Sequence, residues 1–240
     1  MHNAAFAALG MKWTYEMLDF PPKDLRQAVA GLKAKDVAGA NVTIPYKQVV
    51  MEHLDTIAPE AVRVRAVNTI VNEEGKLSGF NTDIAAIRMA IGEVGVDPVE
   101  ANAVILGAGG AARASAAALE GAHLTFVARR PDEADVPGKV LAWDDPSVPA
   151  AIRAADLLIN ATPLGRHEEM PIRPAALPRE GAVIDLVYVT GGTPLVRKAR
   201  SLGLRAVDGW EVLLAQGAQA FLMWTGRGAP LDAMRETLQP

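Results

Sequence analysis

The sequence predicts an α/β protein of two domains, and three of its features carry that expectation. Four apolar runs, Asn102–Leu106, Leu124–Ala128, Leu157–Asn160 and Val183–Val187, are separated by helix- and loop-length segments, as in a parallel sheet covered on both faces. The first run leads directly into Gly107-Ala108-Gly109-Gly110 and an alanine-rich helical stretch to about Leu119. Upstream, beyond the turn-forming Gly95-Val96-Asp97-Pro98, helix and strand signals alternate in a different composition.

Along that first part, His2–Leu9 reads as a short helix and Trp13–Leu18 as a strand. Lys23–Ala34 reads as a helix presenting Leu25, Val29 and Leu32 on one face. Ala40, Val42 and Ile44 alternate as in a strand, Ala40–Ile44, which Pro45 stops, and a helix is expected over Tyr46–Leu54. Val67–Val71 and Lys76–Phe80 form a hairpin around Asn72-Glu73-Glu74-Gly75, and Asn81 or Thr82 caps a helix to about Val94. Near the end, the proline-rich Met170–Pro178 reads as a surface loop. Glu211–Trp224 reads as a helix carrying Val212, Leu213, Leu214, Ala218, Phe221 and Leu222.

A chain of 240 residues is long enough for one large or two modest domains. Half its residues are hydrophobic and 22% charged, the balance of a globular protein, and a net charge of −4 with no basic run excludes a nucleic-acid partner. No apolar run is long enough for a membrane span, and no signal-peptide pattern opens the chain, so a cytoplasmic monomer or homodimer is expected. The lack of cysteine removes disulfides, thiol catalysis and cysteine metal sites; His2, His53, His123 and His167 show no ligand spacing, so no metal is expected.

Val104 to Ala112 satisfies G-x-G-x-x-A between a strand and a helix. Gly107 suits the tight turn, Gly109 the approach of a pyrophosphate, and Ala112 close helix–strand packing. Gly107, Ala108, Gly109, Gly110, Ala111 and Ala112 therefore read as a dinucleotide-binding loop whose helix N-terminus offers free N–H groups. An NAD site would place an acidic residue at the end of the next strand, but Phe126-Val127-Ala128 ends in Arg129-Arg130. Two guanidiniums suit a ribose 2′-phosphate, so NADP(H) is the expected cofactor; the alternative is a pair of solvated arginines. Asn160-Ala161-Thr162-Pro163-Leu164-Gly165 ends another apolar strand beside the same crevice, which gives Thr162 a cofactor role.

Three polar clusters stand at the ends of the upstream elements: Asn41 to Lys47, Asn68-Thr69, and Asn81-Thr82-Asp83. A lysine just past a strand end is a solvated charge or a proton donor. Taken alone, Asn68 is a turn residue and Gln216 a polar position on a buried helix.

N-V-T-I-P-Y-K at 41–47, A-V-N-T at 66–69, N-T-D at 81–83, G-A-G-G-A-A at 107–112, N-A-T-P-L-G at 160–165 and the segment Gly209 to Gln216 occur in one order, and with them the chain resembles the shikimate dehydrogenase family over nearly its whole length. The resemblance implies NADPH-dependent reduction of 3-dehydroshikimate to shikimate in aromatic amino acid (chorismate) biosynthesis. It places Lys47 and Asp83 at the reacting hydroxyl. Thr43, Asn68, Asp83 and Gln216 would contact the ring hydroxyls, with Tyr188 nearby, and Leu186 and Gly209 would lie against the nicotinamide end. Chemically, a lysine ammonium can stabilise and protonate the alkoxide that hydride transfer to a ketone develops, and a carboxylate near a helix N-terminus can orient it.

The implied layout puts a substrate domain at 1–84 and 209–240, an NADP-binding domain at 85–208, and the active site in the cleft between them. Two alternatives are a quinate/shikimate dehydrogenase that also uses NAD, against which Arg129-Arg130 weighs, and a non-catalytic shikimate- or NADP-binding module, against which Lys47 and Asp83 weigh. Family members usually carry an apolar strand and a Ser-x-Ser-Pro segment before the His-Asn pair, whereas here His2-Asn3 follows Met1. Either the natural start lies upstream, with the two serines that hydrogen-bond the substrate carboxylate in the family, or the chain is a truncated and impaired form; the first is expected, because every downstream site residue is retained.

Overall fold

Helices and strands alternate along the computed structural model, which describes residues 1–238. In chain order these are α1 (His2–Ala8), α2 (Leu25–Gly31), β1 (Gly39–Asn41), β2 (Thr56–Ile57), α3 (Pro59–Val64), β3 (Thr69–Glu73), β4 (Lys76–Phe80), α4 (Thr82–Glu93), β5 (Asn102–Leu106), α5 (Gly110–Ala118), β6 (His123–Ala128), β7 (Lys139–Ala142), α6 (Val148–Arg153), β8 (Leu157–Asn160), β9 (Ala182–Asp185), α7 (Pro194–Ser201), β10 (Arg205–Val207), α8 (Gly209–Thr225) and α9 (Leu231–Glu236). The chain divides into two compact units, Met1–Ala85 with the segment from Leu214 on, and Ala86–Leu213. It leaves the first unit inside α4 and returns inside α8, not ahead of that helix at 208/209.

The first unit is built on a mixed sheet in the order β1-β3-β4-β2. Its centre is the β3–β4 hairpin, whose turn is Glu74-Gly75 and whose last pair at the open end is Thr69↔Phe80. β1 lies antiparallel to β3 with Asn41 opposite Thr69. Asn41, Asn68, Asn81 and the start of α4 are thus gathered at one end of the sheet. Beneath it, Leu25, Val29 and Leu32 pack with Val50, Val67, Ile70 and Leu77. A separate cluster of Ala5, Phe6, Leu214, Phe221 and Met234 holds α1, α8 and α9 together.

Several expected elements of this unit are absent or shorter. Trp13–Leu18 is not a strand, because the Asn3 side chain takes the place of a neighbouring strand. It accepts from the Tyr15 N–H (2.7 Å) and donates to the Tyr15 carbonyl (3.0 Å). β1 stops at Asn41 because its partner β3 begins at Thr69; one further bond, Val42 N–H to Asn68 O at 2.8 Å, leaves Thr43 and Ile44 exposed. The helix expected over Tyr46–Leu54 is a turn and a short 3₁₀ segment, Val49–His53. The Lys47 carbonyl, which a helix would use, accepts from Val67 N–H at 2.8 Å.

The second unit is a six-stranded sheet ordered β10-β9-β8-β5-β6-β7, with every pairing parallel. Both faces are covered, which is why its central strands read as unbroken apolar runs. Val104, Leu106, Val127, Leu141, Leu158 and Val183 face one cluster with Val148 and Ile152 of α6 and Leu195 and Ala199 of α7. Met170–Pro178 is not simply a surface loop. Ala176 and Leu177 are buried, and Met170 and Ile172 pack against that cluster. Strand order reverses between β5 and β8, which opens a crevice at the carboxyl ends of the strands.

Candidate active site and cofactor site

Lys47 is held where the sheet of the first unit opens. Its carbonyl is tied to Val67, its side chain reaches Asp83, and Asp83 stands in the first turn of α4. Asn81 starts that helix: its Oδ1 accepts from the Ile84 N–H (3.3 Å) and its amide donates to Ala66 O (2.8 Å). Lys47 Nζ lies 2.6 Å from Asp83 Oδ2, with the two side chains 27% and 22% exposed. The pair is therefore partly desolvated yet open to a ligand.

Asn68 completes the group. Its Oδ1 accepts from the Thr82 N–H (2.8 Å) and the Thr69 hydroxyl (3.1 Å), which fixes the amide so that its Nδ2 donates to Asp83 Oδ1 at 2.8 Å. Asp83 thus receives Lys47 on one oxygen and Asn68 on the other, while Asn68, Thr69 and Thr82 are buried. Behind them Asn41 Nδ2 donates to Thr69 Oγ1 (3.3 Å), and its Oδ1 accepts from the Tyr15 hydroxyl (3.0 Å). Asn41, Thr69 and Thr82 lie in the polar clusters that the sequence marks, where they were given no site role of their own; Tyr15 is a support that reading the sequence did not single out. Thr43, exposed just after β1, and Gln216, partly buried on α8, belong to the same unit.

In the second unit a cavity of about 520 Å³ lies at the strand ends, lined among others by Gly107, Gly109, Arg129, Glu133, Trp143 and Thr162. The residues fit a dinucleotide. Gly107 has φ +104°, and a Cβ there would lie 3.1 Å from the Ala161 carbonyl and 3.3 Å from Thr162 Cγ2. A Cβ on Gly109 would meet nothing within 4 Å, so the cradle stays open on the phosphate side. Gly109 caps α5 without a side-chain bond, which leaves the first N–H groups of Gly110, Ala111 and Ala112 for an anion. Arg129 and Arg130 are exposed on the rim, with Arg130 Nη1 2.7 Å from Glu133 Oε2.

Asn160 and Asp185, at the ends of β8 and β9, shape the neighbouring loops. Asn160 Oδ1 accepts from the Thr162 hydroxyl (2.7 Å), and its amide donates to Leu164 O (2.9 Å) and to Asp185 Oδ1 (2.8 Å). Asp185, fully buried, also accepts from the Val187 N–H (3.0 Å) and the Thr193 hydroxyl (2.6 Å). Burial pushes its carboxyl up to about 6, with Asp208 adding to that, against the pull of these donors. Leu186 follows directly, and Gly209 abuts it: a Cβ on Gly209 would lie 2.6 Å from the Val187 carbonyl and 2.8 Å from that of Leu186. Tyr188 is exposed and packs against Trp210 at 5.0 Å between ring centroids. Asp185, Glu133 and Trp143 were not anticipated. Among the described residues no group of His, Asp or Glu could hold a metal ion, and no helix is long and apolar enough to cross a membrane.

A parallel sheet with a phosphate-cradling loop and an arginine rim, carried in one chain with a hydrogen-bonded lysine–carboxylate pair, defines an oxidoreductase of the nicotinamide-dependent class. Residues 1–70 match the model of the shikimate dehydrogenase substrate binding domain, and residues 209–239 that of the shikimate 5′-dehydrogenase C-terminal domain. The chain belongs to the shikimate dehydrogenase family. The NADP(+) shikimate dehydrogenase of Moorella thermoacetica is 43% identical over 256 residues, covering 100% of this chain and 87% of that protein. That of Methanothermobacter thermautotrophicus is 41% identical, covering 100% and 90%. The crystal structure of the Thermus thermophilus shikimate 5-dehydrogenase in complex with NADP(H) and shikimate superposes with a TM-score of 0.88 at 34% identity, covering 99% of this chain and 91% of that one.

Proposed function

We propose that this chain is an NADPH-dependent shikimate dehydrogenase that reversibly reduces 3-dehydroshikimate to shikimate, with Lys47 and Asp83 as its catalytic residues. The observation that carries the reading is the 2.6 Å Lys47–Asp83 contact, fixed from its far side by Asn68. Bound NADPH supplies the hydride to the ketone carbon. Lys47 then holds its ammonium at the ketone oxygen and delivers the proton as negative charge develops there. Asp83 orients the ammonium, and Asn68 keeps the carboxylate from turning away. In the oxidative direction the same lysine takes the proton of the alcohol.

Thr43, Asn68, Asp83 and Gln216 are assigned to the ring hydroxyls of a polyhydroxy acid, and Tyr188 is assigned to the same substrate. Polar groups that a bound substrate desolvates reject analogues that leave them unpaired. Gly107 to Ala112, Arg129, Arg130 and Thr162 are assigned to NADP, and Leu186 and Gly209 to its nicotinamide end. The unit comprising Met1–Ala85 and the C-terminal segment serves as the substrate domain, and Ala86–Leu213 as the cofactor domain. The setting proposed is the cytoplasm, as a monomer or homodimer.

Mixing the purified chain with NADPH and 3-dehydroshikimate, with Lys47→Ala as control, tests the reading. The expected result is loss of NADPH absorbance that the variant lacks. Binding of both ligands without turnover makes the chain a binding module instead. Comparable rates with NADH and with quinate make it the broader dehydrogenase.

A further inference from the structure

We propose that Trp143 is the wall on which the adenine ring of the cofactor stacks, an assignment that rests on the NADP reading above. β6 and β7 run parallel with Ala128 opposite Ala142, so Arg129 and Trp143 are the next residues past the ends of two neighbouring strands. Both line the cavity that Gly107 and Gly109 line. With the pyrophosphate on the glycine loop after β5, a dinucleotide spans the switch point, one half over β6 and β7 and the other over β8 and β9. The arginines after β6 place the 2′-phosphate, and with it the adenosine, on the β6–β7 side. Trp143 is the aromatic residue of the cavity lining and stands on that side.

The indole is partly buried and packs against the apolar cluster of the second unit, so its orientation is set before any ligand arrives. The indole N–H groups of Trp210 and Trp224 are tied to the carbonyls of Val189 and Ile70. Trp143 has no such tie among the described residues. A flat, pre-set ring beside a guanidinium is what a purine needs, and loss of one base–aromatic stack weakens binding by roughly ten- to a hundredfold.

Trp143→Phe keeps an aromatic face, whereas Trp143→Leu keeps apolar packing without one. Calorimetric titration with 2′,5′-ADP, which carries the adenine and the 2′-phosphate but no nicotinamide, separates the two roles. The expected result is near-normal affinity for Phe and a loss of about ten- to a hundredfold for Leu, with shikimate affinity unchanged in both. Tryptophan emission should be quenched by 2′,5′-ADP in the unmutated chain and not in Trp143→Phe. Normal 2′,5′-ADP affinity in Trp143→Leu, or parallel loss of shikimate binding, overturns the stacking role. Failure of the unmutated chain to bind either NADP or 2′,5′-ADP overturns the cofactor reading itself, and the stacking role with it.

Discussion

Lys47 and Asp83 face each other at 2.6 Å because the ends of three elements are tied together: Val67 N–H holds the Lys47 carbonyl, Asn68 holds Asp83, and Asn81 starts the helix on which Asp83 stands. An ion pair this accessible contributes little to stability, roughly 0–1 kcal/mol. The surrounding buried hydrogen bonds are far more than such a pair needs in order to persist. Their effect is to hold an ammonium in one place, which is the requirement of proton transfer.

Replacing Lys47 by Ala should therefore lower kcat by roughly a hundredfold to ten-thousandfold while moving the unfolding midpoint little. Asp83→Asn should act in the same direction through the orientation of the ammonium. Steady-state kinetics alongside urea unfolding check both effects. A Lys47→Ala chain that retains most of its activity rules out the proton-transfer role.

Asn68→Ala should show the opposite balance, with stability suffering as well as activity. Asn68 is 2% exposed, and its removal leaves the Thr82 N–H without its acceptor and Asp83 Oδ1 without its donor. A loss of about 1–3 kcal/mol is expected, read from urea unfolding, together with a raised KM for shikimate. Loss of activity at full stability would show that the amide serves the ligand and not the framework.

The parallel sheet was legible because burial on both faces leaves unbroken apolar runs at β5, β8 and β9. β2 and β10 have too few residues for a period to emerge, and β7, an edge strand with Lys139 exposed and only Leu141 buried, shows no unbroken apolar run, so Trp143, which follows it, was hidden with it. Asp185 was concealed differently: Val183–Val187 read as one strand, whereas the carboxylate ends the ladder and its bonds to Val187 and Thr193 turn the chain. At Trp13–Leu18 an alternating pattern pointed to a strand, but the distant Asn3 satisfies the Tyr15 backbone. The residue types at 47, 68 and 83 were readable as candidates. Their contact depends on the hairpin register that brings Thr69 opposite Phe80, and spacing alone does not reveal it.

Removal of both rim arginines, Arg129→Ala with Arg130→Ala, should reduce kcat/KM for NADPH by about tenfold to a hundredfold, the worth of one or two charge-assisted hydrogen bonds. NADH should be affected far less. Arg130→Ala alone should do less than Arg129→Ala, because Arg130 is already engaged by Glu133. Parallel measurements with the two cofactors decide it, and an equal loss with NADH would remove the 2′-phosphate from the explanation.

Two buried ionisable side chains, one in each unit, should give the chain opposing responses to acid. His2 is 3% exposed between the Tyr15 and Trp224 rings, and burial above all lowers its pKa from 6.5 to about 4. Between those values the unfolded chain binds the proton and the folded one does not, so this group removes stability as pH falls, about 3 kcal/mol across the window. Asp185 reverses the sign. With its pKa raised from 3.8 to about 6, the folded chain binds the proton first, and its contribution rises by a similar amount as pH falls. Acid between pH 6 and 4 should therefore loosen the first unit ahead of the second. Trp13 and Trp224 report on the first unit, and Trp143 and Trp210 on the second. Acid titrations of emission in two forms, each with one of these pairs changed to Phe, should give a higher transition pH for the Trp13–Trp224 pair. His2→Leu should lower that transition, whereas Asp185→Asn should cancel the acid gain of the second unit; coincident transitions unmoved by either substitution would refute the assignment.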